Sequence, residues 1–162
     1  MKPLQTVVLL LAAFFLQPTA ASLIPLGGAS PNLLLCITLI LVIKAREPAP
    51  IIGLCVLTSI LQELCFSLYA GPAPAAIFII GITAVFAGKF LALEHPIFLA
   101  GLTAADTLVY SGILWVGQVL LGAPYGFLQV LRLQPAYAAH NLVLMALLYL
   151  LFLKNAEGRY SI

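Results

Sequence analysis

The chain has 162 residues, of which 64% are hydrophobic and only 7% are charged, and its mean hydropathy is +1.18. Soluble domains carry about 25% charged residues, so this composition excludes a soluble globular protein. The 7 Lys and Arg residues form no block that could follow a phosphate backbone, and nucleic acid is therefore not an expected partner. The expected environment is a lipid bilayer.

Six apolar tracts follow one another along the chain, and most approach the ~20 residues that cross a hydrocarbon core about 30 Å thick. They are continuously apolar, which predicts helices and excludes the alternating strands of a membrane barrel. The tracts cover residues 4–23, 31–43, 51–70, 73–90, 97–121 and 134–153. Because there is no internal repeat and no extramembrane segment of domain size, the sequence predicts one all-α domain over residues 1–162, a single bundle of six transmembrane helices.

The first two spans admit alternatives. Lys2, the apolar run 7–16 and the small residues after it are also typical of a cleavable signal peptide. The second span has 13 residues and reaches only about 20 Å. We expect it to use snorkelling Lys44 and Arg46, to borrow from the Gly-rich segment before it, or to lie partly inside the bundle.

The basic residues predict the orientation of the chain. Six of them lie at the termini or in and beside the second and fourth loops: Lys2, Lys44, Arg46, Lys89, Lys154 and Arg159. Only Arg132 lies on the opposite side. Since basic residues concentrate on the cytoplasmic side, both termini of this multi-pass protein are predicted to be cytoplasmic.

Polar residues inside the spans are the first candidates for function, because ionisable groups there are costly and normally face the bundle interior. Three helical faces carry them. The third span has Ser59, Gln62, Glu63 and Ser67, the fifth has Thr103, Asp106, Thr107 and Tyr110, and the sixth has Tyr137, His140 and Asn141. At about 1.5 Å per residue, Glu63, Asp106 and His140 lie about 20, 15 and 21 Å from the cytoplasmic surface.

One intramembrane polar cluster is therefore predicted, consisting of Glu63, Asp106, His140, Asn141, Tyr110 and Ser59. His140 and Asn141 are expected to hydrogen-bond one of the two acids, because an unpaired carboxylate in lipid is too costly. The cluster is either a ligand pocket or proton relay, or polar contacts that hold the helices together. In the structural case, replacing either acid with alanine is expected to lower stability.

A cavity distinguishes these two interpretations. A closed volume on the order of 300 Å³ or more, lined by Glu63, Asp106, Tyr110 and His140, would favour ligand binding. Collapse of those side chains onto one another would favour a structural role.

Several smaller features complete the pattern. The outer connection 122–133 is rich in aromatic residues and is interpreted as an ordered loop or an interfacial belt. Glu94, His95 and Pro96 form the polar start of the fifth span, with proline in its first turn. Small residues four apart indicate close helix packing: Ala84 with Gly88, Ala100 with Ala104, and Gly101 with Ala105.

The sequence shows no apparatus for catalysis. It has no Gly-rich phosphate loop, no HExxH or GxSxG motif, and no Cys/His metal spacing. Cys36, Cys55 and Cys65 lie in apolar runs without a CxxC pair and are interpreted as small buried hydrophobic residues. We therefore expect no enzyme activity, no metal and no cofactor.

The order of these features resembles the MreD family, small integral membrane proteins of the bacterial rod-shape machinery. The matching residues are Gln17 after the first apolar run, Pro31-Asn32 opening the second, Gly53-Leu54 with a following acid in the third, Gly71-Pro72 after it, and Asn141 near the start of the last. The family commonly has Gly-Leu-x-x-Asp in the third span. Here the acid is Glu63, and Thr58 and Ser59 stand where a small Gly is more usual.

The resemblance implies a non-enzymatic scaffold of the elongation machinery that controls cell shape. The implied partners are an MreC-like membrane protein and, through it, the MreB filament, a RodA-like polymerase and a penicillin-binding transpeptidase that builds peptidoglycan. Association of the chain with further copies of itself, as a homo-oligomer, is a further alternative. The implied fold is similar to the S components of energy-coupling vitamin transporters.

Such an S component is the alternative function, since it is also a six-helix domain of this size and a mid-membrane polar cluster suits a small-molecule binder. S components typically dock through Ala-rich motifs in their first span. This chain has Ala12, Ala13, Ala20 and Ala21 there, whereas its small-residue pairs lie in later spans.

Overall fold

The computed structural model describes residues 3–23, 29–67, 71–122 and 126–153. Within them lie six α-helices: α1 (Pro3–Leu23), α2 (Leu33–Lys44), α3 (Pro48–Phe66), α4 (Pro72–Ala87), α5 (Pro96–Leu120) and α6 (Phe127–Phe152). The sequence features at Lys2, Pro25–Gly28, Ala70, Pro124–Tyr125 and the basic tail lie outside the described residues. The all-helical architecture predicted from the apolar tracts is confirmed.

Three of the helices, α3, α5 and α6, are long and apolar enough to cross a membrane. They contain 19, 25 and 26 residues. The other apolar helical stretches are shorter: Leu4–Thr19, Leu33–Lys44 and Pro72–Ala87. With 12 residues, α2 is about 18 Å long, which is well below the thickness of a hydrocarbon core.

Proline fixes where several helices begin. Pro48, Pro72 and Pro96 each occupy the first turn of their helix, where the missing N–H is not needed and the fixed φ angle suits the helix. Before Pro96, the His95 ring accepts a hydrogen bond from the backbone N–H of Ile97. The predicted start of the fifth span is therefore confirmed.

The predicted outer connection 122–133 is corrected by the structure, because α6 begins at Phe127. Residues 127–133 have the sequence FLQVLRL, and Leu, Gln and Arg are strong helix formers. Pro135 lies inside α6, where the sequence suggested a helix boundary. Two further turns of helix thus replace most of the predicted loop.

Helix α2 forms the centre of the bundle. The segment from Leu34 to Val42 is buried without interruption. It packs against α1, α3, α4 and α6 and makes a smaller contact with α5. A helix that is apolar on all sides has no polar face to present to water, and here neighbouring helices cover it. Of the three alternatives for the short second span, the structure therefore shows the position inside the bundle.

The two ends of the bundle differ in character. One end, called the basic end here, carries Lys44, Arg46 and Lys89. There the Lys44 ammonium donates a hydrogen bond to the carbonyl oxygen of Phe152, which aligns the ends of α2 and α6. The other end contains the C-terminus of α5 and the N-terminus of α6, and is called the cavity end.

Two glycines permit close approach of helices. A Cβ atom at Gly117 of α5 would lie 2.4 Å from Cγ of Pro72, and one at Gly81 of α4 would lie 2.8 Å from Cγ1 of Ile52. By contrast, Gly101 of the predicted pair with Ala105 has nothing within 4 Å of its Cβ position, and both residues are exposed. The two closest glycine approaches thus lie outside the predicted pairs, whereas Ala84 of the predicted pair with Gly88 is buried in the core.

Candidate functional site: a charge-free cavity above the central helix

A cavity of about 370 Å³ lies at the cavity end of the bundle. Residues from α1, the segment before α2, α5 and α6 line it: Gln17, Ser30, Asn32, Thr107, Tyr110, Ser111, Leu114, Trp115, Gln118, Gln129, Val130, Leu133, Tyr137 and Asn141. Most of these side chains are polar, three are aromatic, and none carries a formal charge. The cavity is thus uncharged but rich in hydrogen-bonding groups.

The cavity exists because α2 is short. Asn141 of α6 lies beside the start of α2, since the backbone N–H of Asn32 donates to Oδ1 of Asn141 at 2.7 Å. Residues 127–140 of α6 extend beyond this point by about 21 Å of helix. No part of α2 fills that space, which is left as a partly open cavity lined by side chains of α1, α5 and α6.

The N-terminus of α2 is buried, and side chains satisfy its backbone donors. Oδ1 of Asn32 accepts from the N–H of Leu35 at 3.0 Å, and Oε1 of Gln17 accepts from the N–H of Leu33 at 2.6 Å. The Gln17 amide also donates to the carbonyl oxygen of Pro31 at 3.1 Å. A helix that starts away from water needs such partners, because an unpaired backbone group there costs several kcal/mol.

Asn141 joins this helix start to α5 and α6. Its side-chain Nδ2 donates to Oγ1 of Thr107 at 2.9 Å. Its backbone carbonyl oxygen accepts a long hydrogen bond of 3.6 Å from Sγ of Cys36. Thr107 in turn donates to the carbonyl oxygen of Thr103 at 2.7 Å. Asn141 is 1% exposed, and both ends of its side-chain amide make hydrogen bonds to protein groups. Gln17, Asn32, Thr107 and Asn141 are called the floor cluster below.

Glu63 occupies a different site, at the start of α4. Its carboxylate accepts hydrogen bonds from the backbone N–H of Gly71 and, at 2.7 Å, from that of Ala73. These are donors at the beginning of a helix, where a negative charge also interacts favourably with the helix dipole. Gly71 has a φ of 125°, a conformation that favours glycine. Glu63 of α3 therefore caps the start of α4.

Asp106 forms a third site, between α4 and α5. Its Oδ1 accepts from Oγ1 of Thr83 at 2.9 Å, while its buried Oδ2 has no partner. Thr83 also donates to the carbonyl oxygen of Ile80. Along α4, Thr83 lies ten residues, or about 15 Å, from the Ala73 backbone that Glu63 contacts. The two acids are therefore far apart.

The predicted single cluster is corrected by these contacts. His140 bonds only within its own helix, through Nδ1 to the carbonyl oxygen of Ala136 at 2.7 Å. Ser59 is buried on the α3 face that carries Glu63, and α3 does not pack against α5 or α6 in the described residues. Tyr110 and Asn141 do come together, at the cavity. The polar residues do not converge on one site: Glu63 and Asp106 both contact α4, about 15 Å apart, whereas Asn141 contacts the start of α2 and α5.

The cysteines and acids provide no metal site. Cys36 and Cys55 are buried as predicted, whereas Cys65 is exposed on α3. Among the described residues, no group of three His, Cys, Asp or Glu side chains is close enough to hold a metal ion.

Sequence reasoning missed the upper wall of the cavity, formed by Trp115, Gln118 and Gln129. Gln118 and Gln129 lie on α5 and α6 at opposite sides of the connection, and their amides make no hydrogen bond within the described residues. The Trp115 ring packs against Phe127, with 5.0 Å between centroids. The sequence signal for this wall was the position of its three residues: Trp115 and Gln118 come shortly before the connection between α5 and α6, and Gln129 comes shortly after it.

The cavity has the volume expected for a small-molecule site, but it is partly open instead of closed and has a different lining. Of the four predicted lining residues, Tyr110 is present, whereas Glu63, Asp106 and His140 bond elsewhere. The site can hold an uncharged molecule through amides, hydroxyls and aromatic rings. In comparisons with known proteins, no family model, no curated protein and no solved structure matches this chain.

Proposed function

We propose that the chain is a non-enzymatic, MreD-like scaffold of the bacterial elongation machinery, and that it spans the inner membrane six times with both termini in the cytoplasm. Its proposed partners are an MreC-like membrane protein, a RodA-like polymerase and a penicillin-binding transpeptidase. In this arrangement the basic end faces the cytoplasm and the cavity end faces outward.

One observation carries the proposal. The residues on which the resemblance rests are distant in the sequence, yet Gln17, Pro31-Asn32 and Asn141 form one hydrogen-bonded unit at the start of α2. A chance likeness between hydrophobic sequences would not be expected to select residues that contact one another.

A second part of the resemblance behaves in the same way. The acid of the third span, Glu63, contacts the backbone at Gly71 and Ala73, on either side of Pro72. The departure from the family pattern, Glu in place of Asp, is consistent with this role, because the Glu63 carboxylate accepts hydrogen bonds from two backbone donors at the start of α4.

The cavity favours a second candidate, the substrate-binding S component of an energy-coupling transporter. Its volume of about 370 Å³ falls within the usual range for small-molecule sites, roughly 300–1,000 Å³. In that case the chain would associate with a transporter ATPase pair instead of wall synthases.

Purification from the native membrane separates the two candidates. A tagged full-length chain is extracted in mild detergent, and co-purifying proteins are identified by mass spectrometry. Recovery of an MreC-like protein together with a RodA-like polymerase or a transpeptidase is the result expected for the scaffold. Recovery of an ATPase pair with none of these would reject the scaffold in favour of the transporter subunit.

A matched variant strengthens this experiment. Asn141→Ala removes the residue that joins α2, α5 and α6, while Val143→Ala changes an exposed position on the same helix. We expect the Asn141 variant to recover less of the partner proteins in proportion to its loss of folded protein, and the Val143 variant to recover them normally.

A further inference from the structure

We infer that the cavity binds an uncharged ligand that presents hydroxyl or amide groups beside a flat apolar face. The inference concerns the ligand alone and does not depend on whether the chain is a scaffold or a transporter subunit. It follows from three properties of the lining side chains: none of them is charged, two amides make no hydrogen bond within the described residues, and three of them are aromatic.

The absence of charge in the lining determines the first property of the ligand. The acids that could have offered a charge, Glu63 and Asp106, do not line the cavity, and neither does His140. A charged ligand would lose part of its hydration on entering this partly open cavity and would find no opposite charge among the lining side chains, which is unfavourable. The ligand that fits is therefore neutral.

The floor and the upper wall of the cavity differ in their hydrogen-bonding state. In the floor cluster, the Gln17 and Asn141 amides are already bonded to the protein and hold the start of α2 in place. Gln118 and Gln129 make no hydrogen bond within the described residues. An amide offers both a donor and an acceptor, so these two side chains match hydroxyl and amide groups of a ligand.

Aromatic rings provide the remaining contact surface. Tyr110 and Tyr137 line the cavity from α5 and α6, and the packing of Trp115 against Phe127 fixes a third ring in the wall. Rigid rings bind flat apolar faces with little loss of conformational entropy. Amides combined with aromatic rings recognise the faces and edges of sugars and of uncharged heterocycles, which share this chemistry.

Intrinsic fluorescence reports on binding directly, because Trp115 is the only tryptophan in the chain and lines the cavity. The full-length protein in detergent is titrated to millimolar concentration with two neutral probes, N-acetylglucosamine and adenosine. Their charged counterparts, glucosamine and adenosine monophosphate, are titrated in parallel. A response in the first pair identifies a saccharide-type ligand, and a response in the second a heterocyclic one.

We expect a saturable change with at least one neutral probe, and affinity at least about tenfold lower for its charged counterpart. Gln118→Leu and Gln129→Leu are each expected to weaken binding of that probe about fivefold to tenfold, since each removes about one hydrogen bond. Neither amide bonds to the described protein, so both variants should fold normally. Val119→Ala and Leu128→Ala, which change exposed neighbours on the same helices, should bind as the wild type.

Three results would overturn the inference: no saturable change with either neutral probe, equal affinity for neutral and charged counterparts, or unchanged affinity in both glutamine variants. None of these bears on which proteins co-purify from the native membrane. Failure of the ligand proposal is therefore distinguishable from failure of the scaffold proposal.

Discussion

At the scale of single residues, Asn141 links three helices through its side chain. No sequence pattern around it indicates this role. Its amide bonds the backbone of Asn32 and the hydroxyl of Thr107, so one side chain ties the start of α2 to α5 and α6. Both bonds are buried, so the loss of either one is expected to be costly. The neighbouring His140, in contrast, bonds only within α6.

Replacing Asn141 and His140 in turn tests this difference. Asn141→Ala leaves the N–H of Asn32 buried without a partner, and we expect it to lower the free energy of unfolding by about 2–4 kcal/mol. His140→Ala should cost less than about 1 kcal/mol. Thermal denaturation of both variants in detergent measures the difference. Similar losses for the two variants would contradict the role assigned to Asn141.

At the scale of helices, different hydrogen bonds stabilise the start of α4 and the contact between α4 and α5. Glu63 satisfies two backbone donors at the start of α4, whereas Asp106 accepts one bond from Thr83 along the side of that helix. The two acids, which the sequence analysis assigned to one cluster, therefore differ in which groups lose a hydrogen bond when the acid is removed.

The two acids are predicted to respond differently to alanine. Glu63→Ala strands the N–H groups of Gly71 and Ala73, and we expect a loss of about 2–3 kcal/mol. In Asp106→Ala, Thr83 keeps its bond to Ile80 and an unpartnered carboxylate oxygen disappears, so the change should stay below about 1 kcal/mol. Denaturation midpoints in detergent provide the comparison, and a larger loss for Asp106→Ala would show that its second oxygen has an essential partner.

Helix packing gives a further prediction, at two glycines of the same helix. Gly117→Ala places a methyl group against Pro72, and the overpacking should cost about 1–3 kcal/mol. Gly101→Ala meets open space and should be neutral or stabilising by up to about 1 kcal/mol, because alanine favours helix. Thermal stability of the purified variants checks both values. Equal stability of the two would mean that α4 and α5 are not in close contact at Pro72.

At the scale of the whole molecule, the short central helix determines where a ligand can enter. The end of α2 at Lys44 is aligned with the end of α6, so the missing length of α2 lies entirely at the cavity end. With the basic end in the cytoplasm, as proposed, the cavity faces outward.

Reporter fusions test this orientation. Alkaline phosphatase fused after Gly122, at the cavity end, is expected to be exported and active, and fusions after Arg46 or Lys89, at the basic end, are expected to be inactive. Green fluorescent protein fused at the same positions should give the opposite pattern. Phosphatase activity after Arg46 would reverse the proposed topology.

The sequence predicted the parts of the fold that depend on composition and local chemistry. Continuous apolar tracts indicated helices, and Pro96 marked a helix start. The start of α6 was missed because Arg132 and Pro135 suggested a boundary, whereas the neighbouring helix formers continue the helix to Phe127.

The candidate site was only partly predictable. Depth along a span can be counted, but the direction in which each polar face points depends on helix packing. Glu63, Asp106 and Asn141 were therefore placed together, although the two acids contact opposite parts of α4 and Asn141 contacts Thr107 of α5. Gln118 and Gln129 lie near helix ends, where polar residues are ordinary. Nothing local indicated that the two amides face one cavity.

Depletion of the protein in its native rod-shaped host tests the central claim, that this chain is a scaffold of the elongation machinery. We predict that the cells lose their cylindrical shape and become round as the protein is diluted by growth, and that expression of the wild-type chain restores the rods. Cells that keep their rod shape after complete depletion, while losing uptake of a small uncharged nutrient, would contradict the scaffold and favour the transporter subunit.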